Sequence, residues 1–333
     1  MMNQGLKPPP RISVLIPTYN YARYLPEAIE SVLAQDFRDF ELLIVDDCSA
    51  DNTAEIVRPF CARDPRVRFA VNAVNLGMVH NWNHCLRQAR GQYIKFLFGD
   101  DKLCHPQALG KMAALLERHP SAVLAASART ILDEHSQVVD IWRPLAEGCH
   151  NGRKIITACL MQNGKNLVGE PSAVLFRQAD GGRGFDPQYR QIVDLEMWFH
   201  LLERGDLAYT REPLCAFRRH PLQETGRNAA RGLWWREQTL VVYNCAMKPW
   251  LPPKVVYPLL FHLRRERAKS PAAAKSEMVE WERRLTGRLG RGWIWFYWLY
   301  VIRYRLTKPY HNLVHSTRKR LFRPRPGHYR GSP

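Results

Sequence analysis

Apolar runs and polar breaks alternate regularly over the first 120 residues. Ile12-Ser13-Val14-Leu15-Ile16 is a short apolar run stopped by Pro17, and Phe40 to Val45, Val67 to Val71 and Tyr93 to Phe98 are runs of the same kind. Short runs rich in β-branched and aromatic residues, bounded by turn formers, predict strands of a covered sheet. Segments with helical spacing lie between them. Leu25 to Ala34 places Leu25, Ile29, Val32 and Leu33 on one face, Asp51-Asn52-Thr53 caps a helix running to Arg63, Asn81 to Ala89 is another, and Pro106 opens one that ends near His119. Strands alternating with helices in this way predict right-handed βαβ units and a parallel sheet.

Past residue 121 the pattern changes. Ala122 to Ala128 and Val138 to Trp142 read as strands of a mixed region, Arg153 to Met161 as a helix, and Pro171 to Arg177 as a strand returning to the sheet. Asp180-Gly181-Gly182-Arg183-Gly184 is a turn, read as a surface hairpin in preference to a loop that orders over a ligand. A helix opens near Ile192 and runs to Glu203, and Leu214 to His220 is a further strand. Leu233 to Met247 and Val255 to Lys269 are helical. Trp293 to Ile302 holds six aromatics and no charge in ten residues. As a helix it is about 15 Å long, half a hydrocarbon core, too short to span one. The expected organisation is a loose proline-rich lead-in (1–10), an α/β body (11–220, with halves 11–120 and 121–220), and a helical extension (221–333).

Composition adds two things. At 333 residues and 46% hydrophobic, the chain can bury a large core. Its eight cysteines show no C-x-x-C pair and no zinc spacing, so free thiols in a reducing compartment are expected. No apolar stretch of signal-peptide kind opens the sequence, and the expected location is cytosolic. The charge is uneven: residues 1–217 hold 24 Lys+Arg against 25 Asp+Glu, and residues 218–333 hold 25 against 6. A neutral body with a basic extension predicts an anionic surface as partner, either nucleic acid or membrane lipid. Trp and Tyr favour the headgroup interface, and arginines flank the aromatic run at Arg288, Arg291, Arg303 and Arg305, followed by Arg318-Lys319-Arg320. Aromatic anchor and polybasic patch together favour peripheral contact with an anionic membrane at its inner face. The basic end, Arg323 to Pro333, is expected to be disordered.

The candidate chemistry lies at the strand ends. Thr18-Tyr19-Asn20, Asp46-Asp47 and Gly99-Asp100-Asp101 each follow an apolar run, so parallel strands bring them to one rim, where open α/β sheets bind ligands. Adjacent carboxylates repel and favour a cation between them. Hard oxygen ligands suit Mg²⁺ or Mn²⁺, which keep waters and take phosphate oxygens. No G-x-G-x-x-G or Walker loop is present, which excludes a dinucleotide fingerprint and an NTPase cradle.

Residues 12 to about 220 resemble a family-2 inverting glycosyltransferase of the GT-A fold, of the bacterial cell-surface polysaccharide type. The resemblance rests on an ordered series of segments. These are Val14 to Asn20, Glu27 to Gln35, Phe40 to Ser49, Asn75-Leu76-Gly77, Ala89 to Ile94 and Gly99-Asp100-Asp101. It implies a Rossmann-like, mostly parallel sheet with flanking helices, a nucleotide-diphosphate sugar donor, and a lipid-linked or cell-surface glycan acceptor. It also implies roles. Pro17 and Tyr19 lie where the nucleotide base is held, and Thr18, Asn20 and Asn75 are expected at the same nucleotide-sugar site. Asp47 lies where a carboxylate accepts from the base. Asp100 and Asp101 lie near ribose and metal, with Asp101 the expected direct ligand. Asp194, at the start of the helix near 192, matches the general base, with Glu196 the second choice; without the resemblance, an N-terminal cap is the simpler reading of Asp194. Arg218 or His220 lies where the diphosphate or metal is reached. Two positions depart from the pattern: Cys48 replaces the usual glycine or serine, and Trp82 stands where arginine is common; Asn83 after it still matches and is expected at the nucleotide-sugar site. Lys95, inside the fourth strand, is expected to face solvent or phosphate. The Q-x-x-R-W motif of processive synthases is absent, so one sugar per encounter is expected. Two other readings are nucleotidyl transfer, which calls for a basic glycine-rich loop after the first strand, and a nucleic-acid or scaffold binder driven by the tail. The loop is missing and the rim is lined by carboxylates, so no nucleic-acid partner is expected.

Overall fold

Four parallel strands make one half of a central sheet in a computed structural model of the chain, which describes residues 8–302 apart from 163, 222, 231, 232, 270, 271 and 291. They are β1 (Ile12–Thr18), β2 (Phe40–Asp46), β3 (Val67–Val71) and β4 (Tyr93–Phe96), in the order β3-β2-β1-β4. Helices α1 (Leu25–Leu33), α2 (Thr53–Arg63) and α3 (Met78–Gln88) make the crossovers. Every residue of β1 and β2 is buried, as continuous apolar strands in a covered sheet require. Thr18 pairs with Asp46, so β1 and β2 end level and present their following residues on one rim.

The other half is mixed. After β5 (Lys102–Leu103) and α4 (Ala108–Arg118) come β6 (Ala122–Leu132), β7 (Val138–Trp142), β8 (Gly148–His150) and α5 (Gly152–Met161). A single 3-10 turn, Pro171–Ala173, leads into β9 (Val174–Arg177), and α6 (Val193–Leu202) precedes β10 (Asp206–Arg218). The sheet continues β4-β9-β6-β10-β5, with β9 antiparallel to both β4 and β6, and β6 parallel to β10. β9 therefore joins the two halves.

Several elements differ from their expected bounds, among them β6, which runs four residues further, and β9, which starts three residues later after the 3-10 turn; three others show a physical cause. The fourth strand ends at Phe96, because the Phe98 N–H donates to Ser172 Oγ (3.1 Å) instead of a neighbouring strand, and its ring packs at a tilt against Trp82 (4.7 Å between centroids). The third helix begins at Met78, three residues early. Its entry is held by a distant residue: Asp47 accepts from the N–H groups of Leu76 and Gly77 (both 2.8 Å), a negative charge where the helix dipole favours one. The last strand is longer than expected because it pairs with β6 along its length, with register shifts around Pro213.

The Ala89-Arg90-Gly91 segment serves the fold. Buried Glu41 accepts from Ser13 Oγ (2.6 Å), from Arg90 Nε and Nη2 (3.0 and 2.7 Å) and from Arg68 Nη1 (2.7 Å). Burial alone pushes its carboxyl up, and these bonds hold it below the usual range. A Cβ on Gly91 would lie 2.4 Å from the Ser13 nitrogen, so glycine is required.

The chain divides into two compact units, Met1–Val241 and Val242–Pro333. The first takes in α7 (Glu224–Ala230) and most of α8 (Leu233–Ala246). Glu237 fixes α8 to it by accepting from the N–H groups of Arg190, Gln191 and Ile192 (3.0, 2.7 and 3.2 Å). The second holds α9 (Pro253–Lys269), α10 (Ala272–Leu289) and a helix over 293–302. Helix α10 was absent from the expected elements, although Met278, Trp281 and Leu285 are buried at helical spacing. Arg264 Nε donates to Glu282 (2.7 Å) and, like Arg267, ion-pairs with it, while Tyr243 stacks on Trp281 (5.1 Å). Among the described residues no helix is long and apolar enough to cross a membrane. Residues 1–7 of the lead-in, Arg291, Arg303, Arg305, Arg318-Lys319-Arg320 and the stretch Arg323 to Pro333 lie outside the described residues.

Candidate active site

The ends of β1 and β2 are tied into one polar rim. Asn20, in the left-handed region (φ 57°), donates its N–H to Ser49 Oγ (2.8 Å) and accepts from the Ala50 N–H (2.9 Å). Cys48 shares that conformation (φ 61°), which explains why glycine suits the position. Pro17 and Thr18 are buried in β1, and Thr18 Oγ1 has no hydrogen-bond partner among the described residues. Tyr19 stands 43% exposed beyond them. Gly99 packs here too: a Cβ would come within 3.3 Å of Thr18 Oγ1.

Asp47 is spent on the loop between β3 and α3. Besides the two N–H groups above, it accepts from Asn72 Nδ2 (2.7 Å), and its own carbonyl accepts from Asn75 Nδ2 (3.0 Å). Expected to receive a base N–H, this carboxylate is 2% exposed and holds the loop that carries Asn75. Asn83 is likewise engaged with protein: its amide donates to the Phe185 carbonyl and accepts from the Phe185 N–H (both 2.8 Å). It pins the 180–184 turn, where Gly184 (φ 73°) leaves no room for a Cβ against Asn83 Oδ1. Trp82 packs among Phe96, Phe98 and Phe185.

The two carboxylates of the Asp100-Asp101 pair take different partners. Asp101, expected as the metal ligand, is 1% exposed. Its Oδ2 accepts from Ser172 Oγ (2.5 Å) and its Oδ1 from the Arg218 N–H (3.0 Å). Burial and the neighbouring Asp100 push its carboxyl well above the usual range. Asp100 instead turns its Oδ2 to His220 Nε2 at 3.1 Å. The imidazole is flanked by the rings of Tyr21 and Tyr24 (5.8 and 5.0 Å), and its Nδ1 has no partner among the described residues.

Arg218, expected to reach a diphosphate, points inward. Its guanidinium donates to the Asp100 carbonyl (2.8 Å), Ser136 Oγ (2.7 Å) and Glu27 Oε2 (2.5 Å), and lies over the Tyr24 ring (4.9 Å). Glu27 also receives Lys102 Nζ (2.5 Å), so α1, the β4–β5 loop and the end of β10 are locked together. Lys95 faces neither solvent nor an open rim. It is fully buried and donates to the carbonyls of Ser172 and Val174, and burial pushes its ammonium down to about 8.

Asp194 opens α6. Its Oδ2 accepts from Asn166 Nδ2 (3.0 Å) and its Oδ1 from the Leu195 N–H (2.7 Å). Burial of the carboxyl, reinforced by the negative charge of Glu170, pushes it up to about 7. Glu196 differs: both oxygens are taken by the Arg183 guanidinium in a forked pair (2.8 and 2.6 Å), which closes it to other partners and ties the 180–184 turn to α6. Glu170 was missed by sequence reasoning. Its charge acts on Asp101 and on Asp194 alike, and Arg129 Nε balances it at 2.5 Å. Asn166 and Ser172 were missed with it. The one visible signal was a glutamate placed between a glycine and a proline, inside an otherwise apolar approach to a strand.

Among the described residues, no three His, Cys, Asp or Glu side chains cluster to hold a metal; Asp100 Oδ2 and His220 Nε2 face each other at 3.1 Å. Their spacing fits a shared cation. Ligands ~2.1 Å from a metal on adjacent octahedral positions stand about 3.0 Å apart, and such ions commonly take few protein ligands beside phosphates and waters. An imidazole in the pair suits Mn²⁺ better than Mg²⁺.

Comparison with known proteins bears on this arrangement. The model of Glycosyl transferase family 2 matches residues 13–177. The Bacillus subtilis protein named as the teichuronic acid biosynthesis glycosyltransferase TuaG is 27% identical over 229 residues, covering 68% of this chain and 86% of that one. The Staphylococcus aureus TarS fragment 1–349 in complex with UDP superposes with a TM-score of 0.60 at 18% identity, over 83% of this chain and 80% of that one. The Pyrobaculum calidifontis mannosyltransferase PcManGT in complex with GDP-Man and Mn²⁺ does so with a TM-score of 0.54 at 16% identity, over 90% and 87%. The fold is thus that of GT-A glycosyltransferases, and the matched segment runs from β1 to the end of β9, the span that supplies the rim, the Asp100-Asp101 pair and Glu170. This chain belongs to glycosyl transferase family 2.

Proposed function

We propose that this glycosyltransferase moves a single sugar, with inversion, from a nucleoside-diphosphate sugar to a lipid-linked or cell-surface glycan acceptor, working in the cytoplasm at the inner face of the membrane. The observation that carries the reading is Asp194: a carboxyl at a helix start, pushed up to about 7 and electrostatically joined through Glu170 to the Asp100-Asp101 loop. A base tuned near neutrality suits removal of a hydroxyl proton. Asp194 takes the proton of the acceptor hydroxyl as that oxygen bonds to C1 of the sugar. The C1–O bond to the diphosphate breaks with its electron pair, and the nucleoside diphosphate leaves. One displacement inverts the anomeric centre and needs no covalent intermediate. Glu196, closed by Arg183, is the poorer base.

Asp100 and His220 would hold Mn²⁺ or Mg²⁺, which supplies positive charge to a departing diphosphate. Pro17, Thr18, Tyr19 and Asn20 would receive the base and ribose, with the exposed Tyr19 ring offering a stacking face. Asp47 would act by holding the Asn75 loop. The complexes of TarS with UDP and of PcManGT with GDP-Man and Mn²⁺ support a nucleotide donor and a divalent ion. TuaG, named for teichuronic acid biosynthesis, supports a cell-surface glycan as the product.

The test is a panel of nucleotide sugars with and without Mn²⁺, read by thermal shift and by release of nucleoside diphosphate. Stabilisation by at least one donor, with release abolished in Asp194→Asn and Asp100→Asn, is expected. Full metal-dependent release in both variants would overturn the assignment.

A further inference from the structure

The helix over 293–302 is apolar all round, and only one side of it is covered. Tyr297 and Val301, four residues apart, are 5% and 3% exposed, and the Arg264 guanidinium of α9 lies 4.5 Å over the Tyr297 ring. The opposite side is open among the described residues. Trp295, Trp298, Leu299 and Ile302 follow the i, i+3, i+4, i+7 spacing of one helical face, and Trp295 is 74% exposed and Leu299 62%. A contiguous apolar face of this kind on an otherwise charged unit marks an interaction site.

We infer that this face docks into the headgroup boundary of an anionic lipid bilayer, with the helix lying in the membrane plane. The inference specifies the surface behind the membrane placement proposed above, and it is independent of the transfer chemistry. Three observations select lipid as the occupant. The exposed residues include two tryptophans, whose rings favour the boundary between hydrocarbon and headgroup. The helix is about 15 Å long as described, against ~30 Å of hydrocarbon, so it can lie in the interface and not cross. The unit carrying it is strongly cationic: residues 242–333 hold 20 Lys+Arg against four acids. Two of those acids are already used inside the unit, Glu282 by Arg264 and Arg267, and Glu280 by Arg283 and Arg284. Nine of the cations follow residue 302 directly in the chain, with no acid among them. An apolar anchor and a basic segment are the two signals that stable peripheral binding requires.

The test is flotation of the full chain with vesicles of phosphatidylcholine alone and of phosphatidylcholine with phosphatidylglycerol, alongside the double variant Trp295→Ser/Trp298→Ser. Both side chains are exposed, so the variant should keep the wild-type circular dichroism and melting temperature. Binding to the anionic vesicles, with a partition coefficient at least ~10-fold lower in the double variant, is expected. Wild-type tryptophan fluorescence should be quenched by lipids brominated near the headgroup, and less so in the variant. Three results would each overturn the inference: equal flotation of variant and wild type, no flotation with anionic vesicles, or a self-association of the wild type that the variant loses while vesicle binding persists. A duplex DNA oligonucleotide forms the fourth arm, and binding to it in preference to vesicles would also overturn the inference. Nucleotide-sugar hydrolysis measured in the same samples reports separately on the transfer reading, and the double variant should leave it unchanged.

Discussion

The carboxylate of Asp100 faces Nε2 of His220 across 3.1 Å, although 120 residues separate them in the chain. One comes from the loop after β4 and the other follows β10, and the buried guanidinium of Arg218 holds the two segments together by donating to the Asp100 carbonyl. The pair is thus placed by the fold and not by local sequence. Asp100→Asn keeps the shape and removes the charge. It should lower metal-stimulated transfer by at least ~100-fold and weaken Mn²⁺ binding by calorimetry, with little change in melting temperature. His220→Gln should do the same more mildly. Asp101→Asn should act differently: it disturbs the bonds to Ser172 and Arg218 and should lower stability before it changes metal affinity.

Arg218 separates a structural role from a ligand role. It is buried and pairs with Glu27, so Arg218→Met leaves a carboxylate partnered by Lys102 and Ser136 alone. Removing one member of a buried pair costs about 3–5 kcal/mol, and Glu27 is partly exposed, so the lower end of that range is expected in urea unfolding. The double variant Glu27→Gln/Arg218→Met should recover part of the loss. A stable Arg218→Met protein whose KM for donor alone has risen would return this arginine to the diphosphate.

Cys48 occupies the left-handed region without being glycine. Relief of that strain outweighs the extra chain entropy of glycine by a small margin, so Cys48→Gly should raise the unfolding free energy by up to about 1 kcal/mol. The urea midpoint should rise with an unchanged slope, and activity should hold, because the side chain is exposed and bonds nothing in the rim.

Most of the strands and helices and the common rim of Thr18, Asp46 and Asp100 were legible, because burial on both faces and helical spacing are written locally in the chain; β5 and β8, two and three residues long, carried no pattern of their own. Which partner each buried carboxylate takes was not legible. Asp100 and Asp101 are adjacent and chemically identical, and their division depends on Ser172 and Arg218, 71 and 117 residues further on. The same holds for Asp47, whose oxygens are taken by a loop about thirty residues away. The early start of α3 follows from that contact and from no signal of its own. Helix α10 was legible in principle from Met278, Trp281 and Leu285, but the charged residues interleaved with them masked the spacing. Motifs marked where polar residues gather, and long-range pairing decides which partners each of them takes.

Asp194 gives the sharpest pH test. Its carboxyl is raised to about 7 by burial and by Glu170, so it is largely protonated below neutrality and can accept a proton only above it. Transfer should therefore climb with pH through about 7 to a plateau, and Asp194→Asn should lose ~10²–10⁴ of kcat while keeping donor affinity. Glu170→Gln removes one of the charges that raise it, so the acidic limb of the kcat/KM profile should move to lower pH. A purely structural glutamate would leave the limb where it is. Stability runs the opposite way to activity. The folded protein keeps a proton that the unfolded chain loses above ~3.9, so this group's stabilising contribution is full below that value and is lost as pH rises through about 7. Asp194→Asn is free of that loss. The variant should gain on wild type in melting temperature between pH 4 and 7 and hold the advantage at pH 8, where wild type is most active; a variant that loses ground over that interval would remove Asp194 from the role of a buried base.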